Sequence, residues 1–166
     1  YDPDFPGFAN RDLNPMGTIE RTRPMNIVVN EFLAVSDTCC TDQAGENEDF
    51  IELMNLGNNR AVLSALFFTD DHEEPTKHRL GIRNQGMGAN GFIGPMRPVL
   101  WADNDLDQGM NHLGFKLSSD GEFIGIYQAT SYWDNYPRLH VLDSLSFDEQ
   151  DDDLSYGQFP DGSNMR

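Results

Sequence analysis

The chain has 166 residues, 38% of them hydrophobic, which suits one domain with a sizeable core and some extra length. With 28 acidic against 11 basic side chains its formal net charge is −17, a surface that repels nucleic-acid phosphates and argues against nucleic-acid binding. No apolar run approaches the roughly 20 residues of a membrane-spanning helix, and the opening Tyr1-Asp2-Pro3-Asp4 has no basic-then-apolar signal pattern, so the chain reads as a processed product or a fragment.

Residues 1–25 differ from the rest. Pro3, Pro6, Pro15 and Pro24, with Gly7 and Gly17, remove backbone donors and fix φ, which predicts an extended arm or linker. Its aromatic residues Phe5 and Phe8 are candidate contacts for docking, either on its own domain or on a neighbouring molecule. From residue 26 the pattern is all-β. Runs rich in Ile, Val, Leu and Phe predict strands over 26–35, 50–56, 61–69, 92–101, 113–117, 122–128, 139–147 and 154–159. Pro95 and Pro98 make the fourth run bent or an edge strand. Turn clusters at Leu56-Gly57-Asn58-Asn59, Ser118-Ser119-Asp120-Gly121 and Pro160-Asp161-Gly162 separate the runs, and many short strands so punctuated predict a sandwich or barrel. No helical periodicity stands out. Alternation places Ile51, Leu53 and Asn55 on one face of the second strand and Phe50, Glu52 and Met54 on the other. Trp101 is expected to fill the core or cap one end of it.

The only cysteines are adjacent, Cys39 and Cys40, and cannot staple distant parts of the chain. Three states remain open for them: two loop thiols, a vicinal disulfide, or an intermolecular bridge.

Several groups have residue types suited to a site. Asp103-Asn104-Asp105-Leu106-Asp107 imitates the start of a calcium loop, since alternating carboxylates can converge on one hard cation. The imitation stops at Gln108, where such a loop has Gly, and at Gly114, where it has its closing Glu. A solvated acidic turn competes with a Ca²⁺-stabilised loop in which Asp103, Asp105 and Asp107 are helped by Asp70 or Asp71. The runs 70–74 and 148–153 are expected to be solvated, or to form weak cation or docking surfaces. His72, His78, His112 and His140 form no zinc-protease pattern, and neither a nucleophile elbow nor a phosphate loop is present. Tyr132, Trp133 and Tyr136 sit in a polar loop where they could stack on a glycan, anchor a protein partner or close one end of the domain.

Six blocks in a fixed order carry a family resemblance: Asn30-Glu31, Asp49 to Asn55, Leu100 to Asp103, Gly114 to Ser118, Gly121-Glu122, and Leu154 to Gly162. Together they resemble the lamin-tail domain in its bacterial extracellular or secreted branch. The resemblance covers roughly residues 26–166 and implies an all-β fold, an immunoglobulin-like β-sandwich preceded by the extended arm of residues 1–25. It departs from the family in the Gly-, Met- and Pro-rich residues 81–98, in Gln158 where Arg is common, and in the insert 132–137. The family is non-catalytic, so the resemblance implies an interaction or structural module, extracellular or at the cell surface, whose partner is protein: further copies of itself or domains of a parent chain. The alternatives are an accessory domain of a secreted enzyme that binds a glycan or protein ligand, and a hydrolase with an acidic metal site. Glu31 and Glu52, set among apolar neighbours, are expected to accept hydrogen bonds from the backbone or from Lys116.

Overall fold

The computed structural model describes residues 24–58, 61–80, 92–93, 97–109, 111–131 and 138–163. Most of the arm, with Phe5 and Phe8, and the aromatic loop of Tyr132, Trp133 and Tyr136 lie outside these residues. Among the described residues ten strands run in chain order: β1 (Ile27–Leu33), β2 (Asp49–Asn55), β3 (Ala61–Val62), β4 (Leu66–Thr69), β5 (His78–Arg79), β6 (Phe92–Ile93), β7 (Val99–Ala102), β8 (Gly121–Ser131), β9 (Arg138–Asp148) and β10 (Tyr156–Gly157). Among the described residues the helical content is one 3₁₀ turn, Leu63–Ala65, and no helix is long and apolar enough to cross a membrane.

The strands form two four-stranded antiparallel sheets, ordered β10-β1-β2-β7 and β5-β4-β8-β9, with β3 and β6 as a separate pair. Their inner faces share one core. Ile27, Val29, Phe32, Ile51, Leu53 and Leu100 come from the first sheet, and Leu66, Phe68, Ile124 and Ile126 from the second. The architecture is therefore all-β and sandwich-like. In β2 the alternation is visible directly, with Ile51 and Leu53 fully buried between partly exposed neighbours. Clustering this much apolar surface is the main favourable term for the fold, at about 25 cal/mol per Å² removed from water.

Three of the predicted strand runs differ locally from the sequence expectation. Leu113–Leu117 is not a strand. Gly114 has φ +70°, outside the extended region, so the backbone turns there while Leu113, Phe115 and Leu117 still point inward. The run 61–69 is split by the 3₁₀ turn into β3 and β4, and the run 154–159 keeps only Tyr156–Gly157 as strand before the Phe159-Pro160 turn. Asn30 is the extra residue of a β-bulge: Val29 faces Leu53 and Glu31 faces Glu52, so β2 offers Asn30 no partner in the register.

Candidate functional site

The bulge at Asn30 re-aims a side chain that is only 2% exposed. Its Nδ2 donates to Glu52 Oε1 at 2.8 Å and to Asp161 Oδ1 at 3.4 Å, and its Oδ1 accepts from the Gly162 amide at 3.0 Å. The Asn30 carbonyl accepts from the Gln158 amide, and the Gln158 side chain donates to the Val29 carbonyl. Arg97 reaches Asp161 at 2.6 Å and Glu52 at 3.8 Å. Next door, Ser155 Oγ donates to Glu31 Oε1. Glu31 and Glu52 are thus acceptors as expected, but for Ser155, Asn30 and Arg97. Lys116 instead pairs with Glu48 at 3.3 Å.

The other blocks join this frame. Asp49 and Phe50 pair with Ala102 and Trp101 through the β2–β7 register. The half-buried Asp49 carboxylate accepts the Ser36 amide at 3.1 Å and also a backbone N–H of Leu117. Burial raises its pKa from 3.8 to about 6, against the lowering effect of those two donors and Lys116. Glu122 accepts the Ser118 amide; burial, with Asp70 and Asp49 nearby, raises its pKa. Asp153, itself at φ +56°, accepts the amides of Asp37, Thr38 and Cys39 and the Thr38 hydroxyl. Those bonds, the Thr38 side chain foremost, hold its pKa down at about 2.

Two acidic groupings remain as candidate ligand sites. In the first, Asp103 is fully buried: Nδ1 of His112 donates to its Oδ2 at 2.6 Å, and its Oδ1 accepts the Asp105 amide. Nε2 of His112 and Nε1 of Trp101 are buried and meet no acceptor among the described residues. Trp101 packs edge-on against Phe50 at 6.5 Å. Asp105 lies with Glu46 and Glu48, one oxygen from each within 4.8 Å of the others, a hard-oxygen set of the type Ca²⁺ accepts. Within that set Gln108 Nε2 donates to Glu46 at 2.6 Å, and Lys116 holds Glu48. Asp107 is exposed. The second grouping is an open cleft of about 510 Å³ lined by Asp70, Asp71, His72, Glu73, Lys77 and Glu122. Lys77 binds both oxygens of Asp70, Asp71 accepts the Glu73 amide, and His72 stacks on Phe123 at 3.6 Å. Of the five carboxylates proposed from sequence, Asp105 lies with Glu46 and Glu48, Asp70 and Asp71 line the cleft, Asp103 is engaged by His112, and Asp107 is exposed outside both sets.

Glu46 and Glu48 carried no signal of their own beside Asp105. They reach it because Asp49 pairs with Ala102, so the residue before β2 and the residues after β7 leave the sheet at one end. Antiparallel pairing of those two blocks was the signal that would have found them. No family model, curated protein or solved structure matches the chain. The class defined by fold and site is an all-β, sandwich-like domain in which several acidic side chains, Asp49, Asp103, Glu122 and Asp153 among them, tie its own backbone.

Proposed function

We propose that this chain is a non-catalytic, extracellular interaction or structural domain of the immunoglobulin-like, lamin-tail type, one that tethers or assembles a larger surface or secreted protein. The observation that carries the reading is the wiring of the six blocks. Asn30-Glu31 is bonded to Glu52 and to residues 155–162, β2 to β7, Leu117 to Asp49, and Ser118 to Glu122. Side chains in the blocks with the chemistry of acids or amides are engaged as framework donors and acceptors. A catalytic centre needs such groups aimed at a shared reacting atom. The disulfide between Cys39 and Cys40 supports an oxidising compartment.

Light scattering after size exclusion tests the assembly role, on the full chain and on a Phe5→Ser/Phe8→Ser variant. The full chain is expected to associate, and the variant to lose association without a change in melting temperature. A monomer at every concentration would remove the assembly role. Metal-dependent turnover of ester or glycoside substrates would overturn the non-catalytic reading.

A further inference from the structure

Both cysteines of the chain lie in one segment whose two flanks are held very differently. On the N-terminal side, Asp153 fixes the amides of Asp37, Thr38 and Cys39, and Ser36 Oγ donates to the Cys39 carbonyl at 2.8 Å. On the C-terminal side, the Cys40 carbonyl accepts the Glu48 amide at 3.3 Å, Thr41 bridges Asn47, and Asp42 accepts the Glu46 amide. Cys39 and Cys40 are joined by a disulfide, and Cys40 sits at φ +58°, the left-handed region that residues with a Cβ adopt at a cost. Both cysteines are partly exposed.

We propose that Cys39–Cys40 is a reversible thiol–disulfide site whose oxidation state sets the conformation of residues 40–48. The small ring closed by adjacent cysteines includes their peptide bond, so it limits the rotations available to Cys40. Opening the ring frees Cys40 to return to negative φ. That rotation turns the following peptide away from Glu48. Because Asp153 holds residues 37–39, the change runs forward into residues 40–48. Glu46 and Glu48 lie at the far end of that segment, bonded to Gln108 and Lys116, so loop 103–109 is the next element to feel it. The inference does not rest on the functional reading above.

The step needs an external thiol. A thiolate of a small dithiol attacks one cysteine sulfur, forming a mixed disulfide and releasing the other cysteine as a thiolate. The second thiol of the reagent then attacks the reagent's own first sulfur and expels the bound cysteine as a thiolate, leaving two cysteine thiols and one cyclic oxidised reagent, a transfer of two electrons and two protons. A disulfide oxidant such as oxidised glutathione reverses it.

The experiment is hydrogen exchange by mass spectrometry on the whole chain, with and without dithiothreitol, paired with alkylation by iodoacetamide. Alkylation is expected to be absent before reduction and to occur at both cysteines after it. Reduction is expected to speed exchange in residues 40–48 roughly fivefold or more, the factor for losing one net backbone hydrogen bond. The melting temperature should move by less than about 2 °C, because a ring between neighbours closes no long loop of the unfolded chain. Oxidised glutathione should restore slow exchange. The Cys39→Ser/Cys40→Ser variant should exchange fast with or without the dithiol. Alkylation of both cysteines before reduction, unchanged exchange after it, global unfolding on reduction, or a dithiol response in the double serine variant would each overturn the proposal.

Discussion

Asp49 should make the stability of this domain fall with rising pH, and replacing it with Asn should remove that dependence. Its pKa is raised from 3.8 in the unfolded chain to about 6 in the fold, with burial as the first cause. A carboxyl group whose folded pKa is raised binds protons more tightly in the native state. Between about pH 4 and about pH 6 the native state therefore holds more protons than the unfolded one, and unfolding free energy declines as pH rises through that window. A shift of about two units corresponds to a ceiling of about 3 kcal/mol. Asp49 is only half-buried, so solvent screening reduces this to about 1–1.5 kcal/mol. Asn at this position keeps an acceptor for the Ser36 amide and has no charge to desolvate. Urea unfolding of both proteins at about pH 4 and about pH 7.5 is the assay, and the quantity read is the change in their stability difference. Asp49→Asn should gain about 1–1.5 kcal/mol on the wild type between those two pH values. Relief of general acidic repulsion and the titration of Glu122 act on both proteins and largely cancel in the difference. A stability difference that does not change with pH would refute the reasoning.

Other perturbations test the frame. Replacing His112 with Leu leaves the fully buried Asp103 carboxylate without its 2.6 Å partner, and urea unfolding should register a loss of about 3 kcal/mol; a loss below about 1 kcal/mol would place that carboxylate in contact with water. Replacing Gly121 with Ala puts a Cβ 2.7 Å from the Phe147 carbonyl at a residue with φ +99°, so thermal unfolding should show a cost of about 2–3 kcal/mol, and a neutral result would mean the β8–β9 entry relaxes freely.

Much of the fold was legible because strand patterns are local. The Ile51/Leu53 alternation follows from a period of two, the run 122–128 holds a continuous apolar stretch of strand length, and the structure has strands at both. Leu113–Leu117 carries the same pattern and fails as a strand, because a single glycine at positive φ turns the backbone without disturbing which side chains face the core. The candidate sites were less legible. Alternating aspartates say that Asp103, Asp105 and Asp107 are close along the chain. They do not say that His112 folds back to bury the first of them, or that β2 pairing delivers Glu46 and Glu48 to the second. Asp153 was expected in a solvated run. Its role depends on the backbone of residues 37–39, more than a hundred positions earlier, which leaves no trace in local composition.

The pairing of β10 with β1 has a consequence for how the molecule is made. Glu31 and Phe32 meet Gly157 and Tyr156, and Asn30 accepts from the amides of Gln158 and Gly162, so the bulge waits for these donors until residues more than 120 positions later have been synthesised. Contacts this far apart in sequence close slowly. During translation the β10 side of β1, the Asn30 carbonyl included, waits for residues 156–162 to leave the ribosome, and the turn that follows β10 completes that edge of the sheet.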